Sequence, residues 1–243
     1  MEASVRGIVL RRRDSGEADR RLTLLTVEYG KLDVVAKGAK KSASRLAAAS
    51  EPLTVGTYTL ALGRRTKYVT QAALLSGYRN LRRDYDRLSI AVAFAEVAAG
   101  VIPWEEPDEG PVDFVERALA AIDGHTRPLA AAVWAQVGLL QMSGFLPDFS
   151  ACVVTGVPVR EANPFLSPLA GGLVSESAAA GFSDRFRVRS EVVIALLRLG
   201  ELESPPDNLK FAADCFRALV PFWRTILESP LPCTEAALAE LLE

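Results

Sequence analysis

The chain is poor in the residues that most often carry catalysis, metal binding or disulfide bonds. It has one histidine, two methionines and three cysteines among 243 residues. Cys152, Cys215 and Cys233 are too widely scattered to form a disulfide framework, and a reducing cytosol is the compartment that fits them best. The sequence also lacks a Gly-x-x-x-x-Gly-Lys phosphate-binding loop, so ATP hydrolysis is not indicated.

Long apolar runs are missing as well. The stretch Ile90–Ile102 is interrupted by Glu96 and is too short to cross a bilayer. Residues Met1–Leu10 lack the apolar run and the small-residue cleavage site of a signal peptide. We therefore expect a cytoplasmic protein, associated with the nucleoid if its partner is DNA, and we expect no membrane contact.

The remaining side chains of types that can act in catalysis are not arranged for it. His125 lies in a predicted linker between helices, and the acidic run Glu105–Glu109 lies in a loop rich in proline and glycine. A nuclease needs carboxylates that converge on a divalent cation, and no spacing in this sequence predicts that convergence. The sequence therefore predicts a protein that is not an enzyme.

Charge is distributed unevenly along the chain. Residues 1–90 hold 18 Lys and Arg against 9 Asp and Glu, whereas residues 91–243 hold 10 against 21. The formal net charge of −2 therefore conceals a basic first part and an acidic remainder. This asymmetry favours a polyanion, DNA or RNA, as the partner of the basic part. Attraction between a basic and an acidic domain of the same chain is the alternative.

The basic first part is predicted to consist of short strands. Strand patterns cover Val5–Leu10, Arg21–Val27, Lys31–Ala36, Thr54–Leu62 and Lys67–Leu75. A turn is predicted at Arg11–Gly16, and Gly30 can adopt the positive φ of a hairpin turn. Five strands with a long loop after the third, in about 80 residues, suit a small closed barrel such as an OB-fold. An SH3-like barrel would give almost the same pattern.

From Leu81 onward the periodicity becomes helical. Helices are predicted at Arg83–Val101, Val112–Ile122, Pro128–Ser143, Ser190–Leu199, Asn208–Leu227 and Glu235–Leu242. Prolines and Gly110 break the chain before the second helix, and Pro221 predicts a kink or break in the fifth. Residues 145–181 form an irregular insert. The predicted domains are therefore residues 1–80, a helical domain in two parts (81–144 and 182–243), and the insert.

Basic residues concentrate on the predicted barrel. The candidate DNA-binding cations are Arg11, Arg12, Arg13, Arg20, Arg21, Lys31, Lys37, Lys40, Lys41, Arg45, Arg64, Arg65 and Lys67. Cations neutralise phosphates and release counterions, and aromatic rings can stack on unpaired bases. Tyr29, Tyr58, Tyr68 and Tyr78 are interleaved with them, although each also suits core packing. The loop at residues 37–45 carries four positive charges and no acid, a composition that suits contact with a nucleic-acid backbone.

Eight segments, spread over most of the chain, together form a recognisable pattern. They are Gly7–Leu10, Glu17, Leu24–Thr26, Tyr29–Lys31, Ala36–Lys41, Ser44–Leu46, Leu81–Asp84 and the insert at residues 144–172. This pattern resembles the RecO family of bacterial DNA repair proteins. The resemblance implies an OB-fold followed by a helical bundle with a small zinc-ribbon-like insert. It also implies binding of single- and double-stranded DNA, annealing of complementary strands, and help in loading a recombinase on strands coated by single-strand-binding protein. RecR and the C-terminal tail of single-strand-binding protein are the implied protein partners.

The insert departs from the family, whose members commonly carry two Cys-x-x-Cys pairs there. Cys152 occupies the first of these four positions, but Thr155, Ser175 and Ala178 occupy the other three. One thiolate cannot form the usual tetrahedral structural zinc site. We therefore predict no metal and no other cofactor. We expect apolar packing and proline-fixed turns to hold the insert, and the side chains expected to pack are Phe149, Val153, Val154, Val157, Phe165, Leu169 and Leu173.

A second candidate site concerns the tail of single-strand-binding protein. Arg198, Arg217 and Arg224 lie among apolar residues of the predicted helices at Ser190–Leu199 and Asn208–Leu227. A cleft with cations beside hydrophobic side chains could bind an acidic amphipathic peptide. Solvated cations that flank buried helix faces are the alternative.

The leading hypothesis is a non-enzymatic protein that binds DNA and anneals strands. One alternative is an OB-fold module that binds RNA or the ribosome, which would discriminate at the 2′-hydroxyl group. The other is a protein-interaction scaffold with a basic barrel, which would bind nucleic acid weakly and without a steep dependence on salt.

Overall fold

Five strands form where the sequence places alternating apolar side chains. In the computed structural model, which describes residues 2–241, they are β1 (Glu2–Ser15), β2 (Asp19–Thr26), β3 (Gly30–Ala36), β4 (Val55–Leu62) and β5 (Lys67–Ser76). They close into a barrel in the order β1-β2-β3-β5-β4. β5 runs parallel to β3, and the other neighbouring strands are antiparallel. The predicted OB-fold is confirmed.

The barrel interior is filled by alternate side chains of all five strands. They include Val5, Val9, Leu22, Leu24, Leu32, Val34, Tyr58, Leu60 and Val69. The hydroxyl group of Tyr58 donates a hydrogen bond to the carbonyl of Ala49 (2.9 Å), within a short 3-10 helix at Ala48–Ser50. Burial raises the pKa of this phenol. Tyr58 therefore anchors the long loop after β3 to the core and offers no surface for a base.

One predicted turn is wrong. β1 continues through the three arginines Arg11, Arg12 and Arg13 to Ser15, and the chain turns at residues 16–18 instead. Residues 14–16 have a composition typical of a turn. Pairing of Asp14 with Arg20 nevertheless continues the β1–β2 ladder into this segment. The register shifts between Val9 and Arg11, which marks a bulge that increases the local twist of the strand.

Two helices complete the first compact unit, Met1–Gly124. α1 (Tyr85–Val101) begins after Asp84, whose carboxylate accepts a hydrogen bond from the amide of Arg87 (3.1 Å). α2 (Glu109–Gly124) includes Pro111 in its first turn, where the missing N–H of proline breaks no helical hydrogen bond. The predicted break at this proline is therefore wrong. Both helices contact β1. They belong to one unit with the barrel, whereas the sequence suggested a boundary at residue 80.

The second unit, His125–Glu243, is mainly helical. It contains α3 (Pro128–Met142), α4 (Glu176–Ala179), α5 (Ser190–Leu199), α6 (Ala212–Leu227) and α7 (Pro232–Glu240). α3 is buried on nearly all sides, and the Trp223 indole of α6 donates a hydrogen bond to Gln136 (2.8 Å). α6 begins later than predicted, after Phe211 with its positive φ of 58°, and it continues through Pro221 without ending there. Leu242, the predicted end of the last helix, lies outside the described residues.

In the sequence between α3 and α5, the chain forms a small three-stranded sheet. Its strands are β6 (Phe165–Ser167), β7 (Gly172–Val174) and β8 (Phe186–Arg187), in the order β7-β6-β8. Cys152, Val174 and Ala179 form its core, with Phe165 and Phe182 packed against them. The insert therefore has a small apolar core, but Val154, Val157 and Leu169, which were expected to pack in it, are more than half exposed. Within residues 2–241, no helix is long and apolar enough to cross a membrane.

Candidate nucleic-acid interface

Four strands of the barrel share a row of side chains on its outer surface. Arg13 of β1 is paired with Arg21 of β2, Arg21 with Val35 of β3, and Val35 with Tyr68 of β5. Paired residues of neighbouring strands point to the same face of a sheet, and the residues between them fill the interior. The row therefore lies across the strands that OB-folds use to bind oligonucleotides.

Two loops border this row. The first connects β3 to β4 and begins at Lys37, whose amino group lies 4.7 Å from the centre of the Tyr68 ring. The second connects β4 to β5 at residues 63–66 and contains Arg64 and Arg65. The loops thus add positive charge beside the aromatic ring of the row.

The first loop is held in place at its start by the turn between β1 and β2. The amide of Gly38 donates a hydrogen bond to the Asp19 carboxylate (2.8 Å), and the amide of Lys40 donates one to the carbonyl of Ala18 (2.9 Å). The backbone of the loop is therefore fixed where its cations begin.

Most strand cations are engaged by acids of the same unit. The pairs are Arg12 and Arg20 with Glu51 (2.5 and 3.0 Å), Arg13 and Arg21 with Asp33 (3.2 and 2.8 Å), Lys40 with Asp14 (2.8 Å), Lys67 with Glu105, and Arg11 with Glu96 (4.0 Å). The hydrogen bond from Lys40 lowers the pKa of the exposed Asp14 carboxyl. Most of these pairs are partly exposed, and such pairs typically contribute about 1 kcal/mol or less to stability. Their chief effect is to neutralise charge on the strands.

Among the candidate DNA-binding cations, five exposed ones have no acidic partner within the described part of the chain. They are Lys37, Lys41, Arg45, Arg64 and Arg65. All five belong to the two loops that border the outer row. Unpaired, flexible cations are the groups that neutralise phosphates at the lowest cost, because no internal ion pair has to break first. The arrangement can therefore bind a polyanionic backbone.

Lys31 is wrongly assigned to this surface. It is 1% exposed, its amino group donates a hydrogen bond to the Ala99 carbonyl (2.6 Å), and it lies 4.3 Å from the centre of the Trp104 ring. Burial, together with the charge of Arg11, lowers its pKa to about 8. Lys31 thus joins β3 to the last turn of α1, where the helix dipole favours a cation. The sequence around Tyr29-Gly30-Lys31 resembles an exposed hairpin, and only the tertiary contact reveals the burial.

Arg20 also has a structural position. Its side chain is 14% exposed, and its guanidinium donates hydrogen bonds to the Ala47 carbonyl (2.9 Å) and the Ser50 hydroxyl (2.7 Å). These bonds hold the 3-10 helix of the β3–β4 loop against β2. Arg20 therefore stabilises the loop that carries the free cations and does not itself present charge to a ligand.

One of the four candidate tyrosines remains available to a base. Tyr58 is in the barrel core, and Tyr29 packs partly buried against that core. The Tyr78 hydroxyl donates a hydrogen bond to the Glu116 carbonyl (3.4 Å), and burial raises its pKa. Tyr68, partly exposed on the outer row, is the remaining stacking candidate.

The donor set of the insert does not fit zinc. The backbone amide of Ser175 donates a hydrogen bond to the Cys152 sulfur (3.3 Å), and the Cys152 thiol donates one to the Ser175 hydroxyl (3.5 Å). Burial acts to raise the pKa of Cys152, but hydrogen bonds with Ser175 and Thr155 outweigh it and lower the pKa to about 6. One thiol, two hydroxyls and the Ala178 methyl group cannot supply four sulfur or nitrogen ligands. Among residues 2–241, no group of three or more His, Cys, Asp or Glu side chains is placed to hold a metal ion.

The three partner-site arginines fall in different places. Arg217 lines a cavity of about 690 Å³ and pairs with Asp214 (2.9 Å). Arg198 lines a second cavity of about 520 Å³ with Ile194, Leu202 and Lys210. Arg224 pairs instead with Glu235 (2.8 Å). The sequence therefore grouped residues that the fold separates.

Comparison with known proteins identifies the family. The protein-family model described as Recombination protein O N terminal matches residues 1–78. The family model described as Recombination protein O C terminal matches residues 82–229. The chain belongs to the RecO family. A relative from Heliobacterium modesticaldum is 38% identical over an alignment of 219 residues. The alignment covers 84% of this chain and 78% of the relative.

Other relatives give the same result. The protein from Desulforamulus reducens is 33% identical over 173 residues (71% of this chain, 67% of the relative). The protein from Anaeromyxobacter dehalogenans is 32% identical over 200 residues (81% of this chain, 78% of the relative). All three relatives are named DNA repair protein RecO. The resemblance inferred from the sequence motifs is confirmed.

The buried Lys31 predicts a pH dependence of stability. Its folded pKa of about 8 lies below the ordinary lysine value of 10.5, so the unfolded chain binds more protons between these values, and stability rises with pH across this window. Relative to Lys31→Met, the free energy of unfolding of the wild type should increase by about 2 kcal/mol from pH 7 to pH 9.5. Urea denaturation across this range measures it, and parallel pH profiles for the two proteins would contradict the assignment. If the variant does not fold, NMR titration of the Lys31 ε-carbon tests the same pKa.

From the side chains of the insert, we predict that the wild type binds no zinc and that restoring three cysteines creates a zinc site. We expect the wild type to carry no stoichiometric zinc and to unfold at the same temperature with and without a chelator, because its donor set lacks three ligands. Thr155→Cys/Ser175→Cys/Ala178→Cys restores four thiols and should bind one zinc ion per chain. Elemental analysis and thermal unfolding with EDTA measure both effects. One tightly bound zinc in the purified wild type would refute the expectation.

Proposed function

We propose that this RecO family member is a DNA-binding protein, not an enzyme, which anneals complementary strands and helps to load a recombinase on strands coated by single-strand-binding protein. The observation that carries the proposal is the set of five unpaired cations on the two loops beside the outer row of the OB-fold. RecR and the tail of single-strand-binding protein are its proposed protein partners, and the proposal includes no cofactor.

The geometry supports binding through the DNA backbone. Lys37, Lys41 and Arg45 lie on the β3–β4 loop, and Arg64 and Arg65 on the β4–β5 loop. Cations that meet phosphates give affinity without reading the sequence, and binding then depends steeply on salt. Tyr68 can add stacking, which every base offers. Sequence-tolerant binding is what annealing requires, because the protein must accept any two complementary strands.

Annealing follows from charge neutralisation. Two complementary strands repel each other through their phosphates, and a surface that neutralises part of that charge lowers the repulsion when the strands meet. No base-specific donor is needed, so base pairing between the strands remains free to decide the outcome. The names of the relatives, which refer to DNA repair, support this process over the RNA and scaffold alternatives.

A salt titration of single-stranded DNA binding tests the proposal. Five neutralised phosphates predict a slope of log K against log salt of about −3.5, and Lys41→Gln/Arg45→Gln should reduce it to about −2. Fluorescence anisotropy of a labelled oligonucleotide measures both slopes. Arg160→Gln/Lys210→Gln is the matched control, because it removes two exposed cations from the second unit and should leave the slope unchanged.

The same titration separates the alternatives. Absence of binding at low salt, or equal slopes for the wild type and Lys41→Gln/Arg45→Gln, would overturn the proposal. Clear preference for RNA of the same sequence would favour the RNA-binding alternative, since the 2′-hydroxyl is the group that distinguishes the two.

We further propose that the cavity beside Arg198 binds the acidic, hydrophobic tail of single-strand-binding protein. Ile194 and Leu202 are 47% and 43% exposed there, and Arg198 and Lys210 have no acidic partner among residues 2–241. The cavity at Arg217 is less suitable, because Arg217 is already paired with Asp214. Cations beside exposed apolar side chains match a peptide with both characters.

Charge reversal tests this cavity. Arg198→Glu should weaken tail-peptide binding at least tenfold, whereas Arg224→Glu makes the same charge change outside the cavity and should have little effect. Anisotropy of a labelled tail peptide measures both. Equal affinities of the wild type and Arg198→Glu would remove this cavity from the proposal and leave the DNA interface untouched.

A further inference from the structure

An acidic segment of the first unit is attached to the barrel beside the cationic β4–β5 loop. We call residues 103–108, between α1 and α2, the acidic strap. Trp104 forms a parallel β-bridge with Lys31, and the amide of Glu105 donates a hydrogen bond to the Lys31 carbonyl (3.0 Å). β2 occupies one edge of β3, and β5 pairs only with Val34–Ala36 on the other. The strap therefore takes the part of the β3 edge that β5 leaves open.

Gly30 allows the strap to lie close to the barrel. Its φ is +66°, and a Cβ atom at this position would collide with the backbone of Glu106. The strap is also held by the Trp104 ring, which faces the amino group of Lys31 at 4.3 Å. Backbone pairing, close packing and a cation–π contact together fix where the acids of the strap lie.

Glu105 brings a carboxylate onto one of the predicted DNA-binding cations. It forms an ion pair with Lys67, the first residue of β5, which follows Arg64 and Arg65 of the β4–β5 loop. The Glu105 side chain is 63% exposed and that of Lys67 is 29% exposed. Ion pairs with this exposure are weak and screened by salt, so another anion can displace the carboxylate.

We propose that the acidic strap is an internal substitute for nucleic acid, with the Glu105 carboxylate in a position that a DNA phosphate takes when a strand binds. This inference rests on the proposed function. Lys67 then becomes a sixth phosphate-binding cation in the complex, and the strand displaces Glu105 as it engages Arg64 and Arg65. An isolated phosphate gains little from this exchange, whereas a strand gains several contacts at once. The strap therefore favours extended strands over small anions.

Removal of the carboxylate tests the inference. Glu105→Gln should tighten binding of a single-stranded oligonucleotide about two- to fivefold at low salt, because Lys67 no longer has to leave a partner. It should also make the slope of log K against log salt steeper by up to about 0.7. Glu106→Gln is the matched control. It removes the same charge from the same strap, but the structure gives Glu106 no ion pair among residues 2–241.

A double-variant cycle makes the test specific to the contact. Lys67→Gln should weaken binding, and Glu105→Gln should have no further effect when Lys67 is already replaced. Equal effects of Glu105→Gln and Glu106→Gln, or a full effect of Glu105→Gln in the Lys67→Gln background, would overturn the inference. If the wild type binds DNA and the Glu105→Gln variant binds it with the same affinity, the inference is overturned but the proposed function stands. A wild type that does not bind DNA would overturn the proposed function, and this inference with it.

Discussion

Closure of the barrel by the parallel pairing of β3 with β5 is the constraint on which the rest of the first unit depends. The pairing is short, from Val34 to Ala36, so it brings the two cationic loops to the sides of one outer row and leaves part of the β3 edge open. The acidic strap fills that edge, and Lys31 is buried beneath it. The distribution of free and neutralised charge therefore follows from the strand order.

The fold separates the basic residues into those that stabilise the protein and those that face solvent unpaired. Arg20 holds the β3–β4 loop, and Lys31 links β3 to α1. Lys41 and Arg45 remain free on the loop that Arg20 stabilises. A protein that must bind a polyanion and also fold as a compact unit needs both groups, because an excess of unpaired like charge destabilises the compact state.

The strands and the basic loop could be predicted from the sequence, since alternation and glycine placement are local signals. The burial of Lys31 could not, because it depends on Ala99 and Trp104, which lie about 70 residues further along the chain. The same holds for Arg11–Ser15, where pairing with β2 overrides a local turn signal. The missing zinc ligands were visible in the sequence, but the hydrogen bonds that Ser175 forms with Cys152 were not. Local patterns thus predicted the elements, and long-range contacts decided which cations are free.

Cross-linking would locate the DNA-binding surface on the chain. A single-stranded oligonucleotide with photoreactive groups along its backbone would be irradiated in complex with the full chain, and the attached peptides identified by mass spectrometry. We expect cross-links to residues 37–45 and 64–68, with none to peptides of the second unit in excess of background. Cross-links confined to the second unit, or to barrel peptides without these two loops, would contradict it.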